Sequence, residues 1–279
     1  MISTQDFWTD GFYLPVRALS ADQAHDQRAA LEADLARWEN NPDLLRTMTD
    51  YRRSNFHVVS RWGAQIASHP VILDCVEQII GPDVLLWMTE VIIKEPQTPT
   101  IISMHQDLTY WGMDDQDKQV TAWLALTDAT PDNGCMSFVR GSHKQGQVSH
   151  NDTYAQDNAL SRGQEIEVSY EEKDLVMCAL NAGEVSFHHG HMFHGSGPNK
   201  TDDRRIGIVM RYISPQMKPA VAMRDYAMLV RGANRQGHYT CVAAPASDFS
   251  AKAMRLWDEI DAAQNQALAE GAQQDLKYI

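Results

Sequence analysis

Val84-Leu85-Leu86-Trp87, Val91-Ile92-Ile93-Lys94 and Thr100-Ile101-Ile102-Ser103-Met104 are short apolar or β-branched runs separated by turn chemistry, and they decide the fold class. Runs of this length, bounded in this way, read as strands. The same texture continues through Val120–Leu126, Cys135–Val139, Asp174–Leu180, Val185–His189 and Ile206–Ile213. Turn signals lie between them: Asp132-Asn133-Gly134, Arg140-Gly141-Ser142, Ala182-Gly183 and Gly197-Pro198-Asn199. Many short strands at moderate spacing predict a closed or double-sheet β fold.

The flanks read differently. The first ~80 residues are mostly helical on pattern. Ser20 followed three residues on by Gln23 is a capping signature ahead of Ala29, Ala30, Leu31 and Leu35. A second helix is predicted from Pro70 to Ile80, opened by a proline suited to the first turn and stopped at Gly81-Pro82. The tail from Ala251 to about Gln273 returns to helix, with Trp257 and Ile260 on its buried side. A single domain over 1–279 is expected: helical 1–83, a β core at 84–215, then a flap and helix at 216–279.

Composition narrows the function. The chain has 279 residues, 43% of them hydrophobic, and a formal net charge of −13. That balance argues against nucleic acid or an anionic membrane surface as partner, since either would want a basic patch. No stretch approaches the ~20 apolar residues of a membrane span. The N-terminus lacks the basic and apolar regions of a signal peptide, so a soluble cytoplasmic protein is the expectation. Cys75, Cys135, Cys178 and Cys241 are scattered without CxxC spacing and are expected to be reduced, buried thiols. The terminal helix offers either a homodimer contact or a cap on the β core.

Of the eleven histidines, His25, His57, His69, His150 and His238 show no partner pattern. His105-Gln106-Asp107 does. On an extended segment residues two apart share a face, so imidazole and carboxylate are expected to converge. A bare HxD is weak by itself; the distant segment from His188 to Asn199, with His188, His189, His191 and His194, strengthens it. One histidine from there completes a two-histidine, one-carboxylate facial set with open positions opposite, which suits iron(II) oxygenases. Such a metal keeps net positive charge and takes an anionic cosubstrate together with O2. Arg205, eleven residues after His194 on the strand that ends at Ile213, is a natural carboxylate clamp. Its neighbour Arg204 is expected to point the opposite way.

Met104-His105-Gln106-Asp107, Trp123, Asn133-Gly134, Arg140-Gly141-Ser142-His143, and His194-Gly195-Ser196 with Arg205 together resemble the phytanoyl-CoA dioxygenase-like (PhyH) family. The resemblance runs from about Phe7 to Ile213 and includes Asp10-Gly11-Phe12. It implies an iron(II)/2-oxoglutarate oxygenase built on a double-stranded β-helix (jelly roll, cupin-like), an α+β but mainly β fold with N-terminal helices and a C-terminal helix packed on it. It implies His105, Asp107 and His194 as iron ligands and catalytic centre. It also implies Arg205 and Ser196 on the distal carboxylate of 2-oxoglutarate, with Trp123 beside the cosubstrate. Related halogenases replace the carboxylate with a small residue, so Asp107 points to oxygenation. Among the rival histidines only His194 carries the Gly195-Ser196 continuation and the right distance to Arg205; His189 and His191 are left as pocket-lining or supporting groups.

The implied reaction is oxidative decarboxylation of 2-oxoglutarate to succinate and CO2, coupled to hydroxylation of an unactivated C–H bond. Cyclisation or desaturation on the same site is the alternative, and a non-catalytic binding module the more distant one. Tyr110, Trp111, His189 and Arg231 are the candidate substrate contacts. Arg224-Asp225-Tyr226 and Leu229-Val230-Arg231-Gly232 are candidates for a flap over the pocket, and Lys94 is either edge-exposed or pocket-facing. The family acts on acyl-CoA, amino acids, compatible solutes, phosphonates and natural products. Without a long basic patch for a CoA tail, a small or mid-sized metabolite is the expected substrate.

Overall fold

The computed structural model describes residues 2–114, 117–221 and 224–269. The chain opens with α1 (Thr4–Asp10), β1 (Phe12–Arg17) and α2 (Ala21–Trp38), followed by α3 (Met48–Arg53), α4 (Phe56–Val59), α5 (Arg61–Ala67) and α6 (Pro70–Ile80). The Ser20 hydroxyl and the Gln23 side chain cap α2 reciprocally, as the sequence predicts. Next come β2 (Val84–Lys94), β3 (Ile102–His105), β4 (Gln119–Ala125), β5 (Met136–Val139), β6 (His150–Asp152), β7 (Gln164–Ile166) and β8 (Leu175–Cys178). The remaining elements are β9 (Glu184–His188), β10 (His194–Ser196), β11 (Arg205–Ile213), β12 (Tyr226–Arg231), β13 (Thr240–Val242) and α7 (Ala251–Ala269).

Among the described residues a seven-stranded sheet runs β1-β9-β4-β11-β2-β12-β13, and a four-stranded sheet runs β3-β10-β5-β8. The fold is mainly β, a jelly roll of the double-stranded β-helix kind with helices on its outside. Strand alternation assigns the two faces. Along β11, Ile206, Ile208, Met210 and Tyr212 join the core formed with the helices, together with Leu31, Tyr51, Val76 and Ile80. The intervening Arg205, Val209 and Arg211 line a cavity on the opposite face. There Trp123 and Val209 of the large sheet meet Met136, Phe138 and Cys178 of the small one.

Several expectations needed correction. The two runs Val84–Trp87 and Val91–Lys94 are one strand, because the intervening Met88-Thr89-Glu90 stretch continues the ladder with β11. Phe12–Arg17, read as part of a helical region, is an edge strand paired with β9. An edge position tolerates its Pro15, which has no N–H to give a second neighbour. Tyr226–Arg231 is not a flap: it is a strand of the large sheet, paired with β2 on one side and β13 on the other. Cys75, Cys135 and Cys178 are buried thiols, whereas Cys241 is exposed. The final turn of the C-terminal helix, expected up to Gln273, lies outside the described residues. No helix among the described residues is long and apolar enough to cross a membrane.

Candidate active site

His105 and His194 stand directly opposite each other where β3 and β10 pair. Their rings are 4.2 Å apart, centre to centre. Asp107 completes the group, and one ligand atom from each of the three lies within 4.8 Å of the others. The route by which Asp107 arrives differs from the expected strand alternation. His105 ends β3, and Asp107 already has the helical conformation, φ −62° and ψ −48°, at the start of a 3-10 turn. The chain is folded back by the Leu108 amide, which donates to the Gly190 carbonyl at 3.0 Å. The Gln106 side chain bolts this turn down by donating to the Gly146 and His191 carbonyls and accepting from the Val148 amide.

The donor set fits a divalent metal. Nδ1 of His105 donates to the Ser103 carbonyl and Nδ1 of His194 to the Met192 carbonyl, each at 2.9 Å. Both imidazoles are thereby fixed with a bare Nε2, and these atoms lie 3.6 Å and 4.0 Å from Asp107 Oδ1. Burial, then the neighbouring His105, holds His194 well below the ordinary histidine range, so it is neutral. Burial alone would raise the Asp107 carboxyl; Arg211 foremost, with the His105, His188 and His194 imidazoles close by, holds it well below the usual range instead. The Thr121 hydroxyl donates to Asp107 Oδ2 at 3.2 Å, which orients the carboxylate.

A cavity extends from this triad between the sheets. At one end lies Arg205, whose cross-strand partner on β2 is Lys94. Arg205 is 1% exposed, and none of its three guanidinium nitrogens has a hydrogen-bond partner among the described residues. Its guanidinium rests 5.2 Å from the centre of the Trp123 ring. Lys94 is buried behind Ser196, not edge-exposed: it is 2% exposed and donates to the Ser196 hydroxyl at 2.8 Å and to the Gly197 carbonyl. Burial lowers Arg205 to about 10, and burial together with Arg205 lowers Lys94 to about 7. The nearby Cys135 and Cys178 thiols are pushed up by burial, Cys178 to about 12, so they stay protonated and supply no counter-charge.

Gly207 makes the Trp123 placement feasible. A Cβ there would lie 2.0 Å from the indole, so only glycine lets the ring lie across β11.

The sequence profile of the phytanoyl-CoA dioxygenase (PhyH) family matches residues 7–207. The chain belongs to the PhyH family. Human peroxisomal phytanoyl-CoA dioxygenase is 31% identical over 148 residues, which is 52% of this chain and 44% of that protein, so the match spans less than half its length. A solved structure of the non-heme monooxygenase ThoJ in its apo form is 33% identical, with a TM-score of 0.81 over 96% of this chain and 97% of that one. The structure of CytC3 with Fe(II) and alpha-ketoglutarate shares the fold, with a TM-score of 0.67 at 19% identity over 88% of this chain and 94% of that one. The PhyH family is one of iron(II)/2-oxoglutarate dioxygenases, and the His–Asp–His cluster of this member matches that cofactor requirement.

Of the residues singled out from sequence, His105, Asp107, His194, Ser196, Trp123 and Arg205 all line the one cavity. The proposed substrate contacts fare differently. Arg231 is ion-paired to Asp74 at 2.8 Å and Glu77 at 2.6 Å on α6, away from the cavity. His189 packs near Trp8 and His143 and faces Asp117 at 3.4 Å, because the chain leaves β9 after His188 and reverses its facing. His188 is the histidine beside the triad, with Nε2 3.7 Å from Asp107 Oδ2. Trp111 packs on Trp87 and lies under Arg211. The side chain of Tyr110 lies outside the described residues.

Sequence reasoning missed Arg211, Glu90 and Arg53, which line the same cavity. Strand parity held the signal for two of them. Arg211 is six residues beyond Arg205 and Glu90 four before Lys94, so each shares its partner's face. Arg53, at the end of α3, had no such signal.

Proposed function

We propose that this PhyH member is an iron(II)/2-oxoglutarate-dependent dioxygenase that hydroxylates an unactivated C–H bond of a small or mid-sized metabolite. The observation that carries the reading is Arg205, a buried guanidinium with no acceptor among the described residues, in the same cavity as the His–Asp–His triad. An unpaired buried charge is costly, and a second cation, Lys94, makes the position worse unless an anion arrives. A dicarboxylate fits: one carboxylate neutralises Arg205 and Lys94, while the other end reaches the metal.

In this reading His105, Asp107 and His194 hold Fe(II), which supplies O2 activation when bound. The chain's own groups do the rest. Arg205 grips the distal carboxylate with its planar fork. The Lys94 ammonium, already bound to the Ser196 hydroxyl, adds a second charge and aims that hydroxyl. Trp123 forms an apolar side wall that limits water around the cosubstrate. Ile92, Ile102 and Met136 line the remaining space and favour a hydrocarbon skeleton over bulk water.

Succinate formation from 2-oxoglutarate with Fe(II), ascorbate and O2 tests this directly. A protein that binds neither iron nor 2-oxoglutarate, and yields no succinate across a broad substrate panel, is not this enzyme.

A further inference from the structure

The two oxygens of Asp107 stand in different surroundings. Oδ1 faces the bare Nε2 atoms of His105 and His194 at 3.6 Å and 4.0 Å, with Arg211 Nη2 beside it at 3.5 Å. Oδ2 faces Thr121, whose hydroxyl donates to it at 3.2 Å, and His188, whose Nε2 lies 3.7 Å away. The sheets explain this division. His105 and His194 are a cross-strand pair of the small sheet, and Thr121 and His188 are a cross-strand pair of the large one. Residues directly opposite each other on one face of a sheet hold their side chains close together. Each sheet therefore presents one pair of side chains to one oxygen of the same carboxylate.

His188 takes no part in the proposed ligand set or cosubstrate clamp. It lines the cavity, is 1% exposed, and neither ring nitrogen has a hydrogen-bond partner among the described residues. A polar group buried in that state is costly. It stands outside the metal cluster: among the described residues, only His105, Asp107 and His194 bring ligand atoms within 4.8 Å of one another. Its ring packs 4.7 Å from that of His194 and 5.2 Å from that of Phe138, centre to centre. The carboxylate decides which nitrogen carries the proton. A proton on Nε2 faces the negative Oδ2, whereas Nδ1 has no acceptor within reach among the described residues. A small turn of the ring brings Nε2 into hydrogen-bond range of Oδ2.

We infer that His188 is a positioning residue: with Thr121 it holds Oδ2 of Asp107, so that Oδ1 alone meets the metal. The inference rests on the oxygenase reading above and concerns that same site. A carboxylate free to turn can bind a metal through both oxygens. That would fill one of the open positions that the cosubstrate and O2 need. Two donors on Oδ2 oppose it. The contribution of His188 is directional: it needs an N–H at the Nε2 position, not the bulk of the ring.

The test is a Mn(II) titration of the full-length protein without O2, with a urea titration of the same metal-free samples. His188→Leu roughly keeps the side-chain volume and removes both nitrogens. It is expected to weaken Mn(II) binding about tenfold, the scale of a contact that orients a metal ligand. The urea midpoint of the metal-free variant should stay unchanged or rise, since an unpartnered buried polar group is gone. His188→Gln brings an amide N–H near the Nε2 position and is expected to bind Mn(II) within about threefold of wild type. His188→Asn reaches only the Nδ1 position and should lose affinity as the leucine variant does. Visible absorption of the Co(II)-loaded proteins reports the donor set directly: it should change in the leucine and asparagine variants and be kept in the glutamine variant. Wild-type Mn(II) affinity in the leucine variant, or a glutamine variant no better than the asparagine one, overturns the inference. Losses in all three that track a lowered urea midpoint also overturn it, by assigning His188 to packing. If wild type binds no Mn(II), the metal-centre reading itself fails and this inference falls with it. Tight Mn(II) binding that the leucine variant shares removes the role of His188 alone.

Discussion

Arg205 and Lys94 are directly paired across β11 and β2, two buried cations on the same face of one sheet. Like charges placed opposite each other destabilise a sheet, and burial in a low dielectric increases the cost. Lys94 relieves part of it through Ser196 and Gly197, while Arg205 is left with an aromatic face and no acceptor among the described residues. In the proposed function the pair serves as the receptor for an anion.

Removing the guanidinium is therefore expected to weaken 2-oxoglutarate binding far more than it weakens the fold. Arg205→Ala should raise the KM for 2-oxoglutarate roughly 100-fold, the scale of one charged hydrogen-bonded contact. The unfolding midpoint should stay unchanged or rise, since a buried unpaired charge is removed. Steady-state succinate assays and a urea titration check the two halves separately.

Lys94 makes binding depend on pH. With the anion absent, burial and Arg205 lower it to about 7, so it is mostly neutral at pH 8. A bound carboxylate favours the ammonium and raises the group again, so binding takes up a proton. The affinity for 2-oxoglutarate should thus fall as pH rises above about 7, by up to about tenfold per pH unit. Calorimetry in buffers of different ionisation enthalpy measures the proton uptake at pH 8. Lys94→Met should abolish both the uptake and the slope; uptake that persists in that variant would assign it to another group.

Gly207→Ala is expected to damage the cosubstrate end without touching a charged residue. The added methyl overlaps Trp123, and the indole must leave its place against Arg205. A cost of about 1–3 kcal/mol in stability is expected from such overpacking. Weaker 2-oxoglutarate binding and a change in tryptophan fluorescence should accompany it. A variant with unaltered fluorescence and affinity would show that the ring has room to move.

Two distant substitutions separate the metal site from ordinary surface ion pairs. Thr121→Val removes the hydroxyl that donates to Asp107 and should lower Fe(II) or Mn(II) affinity about tenfold or more, read by metal titration. Arg231→Ala breaks contacts to Asp74 and Glu77, whose side chains are substantially exposed, and should cost less than about 1 kcal/mol with kcat/KM unchanged. A large loss of activity on that second change would return Arg231 to the site.

The sequence by itself determined the strand-rich core, the capped helices and the candidate metal cluster. Each depends on information carried locally: alternation, turn residues, caps, and the chemistry of histidine and carboxylate. The His105-Gln106-Asp107 stretch, the turn ending in His194-Gly195-Ser196 and the spacing to Arg205 were legible for that reason. Parity along Arg205–Ile213 also contained Arg211, although only the cavity gave it a meaning.

Tertiary structure decided the rest. Which of His188, His189, His191 and His194 meet Asp107 depends on where β9 ends and β10 begins, and a one-residue change of facing sends His189 toward Trp8 and leaves His188 beside the triad. The folding-back that delivers Asp107 is held by Gly190 and by the Gln106 contacts, all distant in sequence. Arg53, Glu90 and Arg211 come from a helix and two strands, and no local pattern announces that their charges will share one cavity. Charge balance is a property of that enclosed space, so the missing acceptor of Arg205 among the described residues appears only once the chain has closed around it.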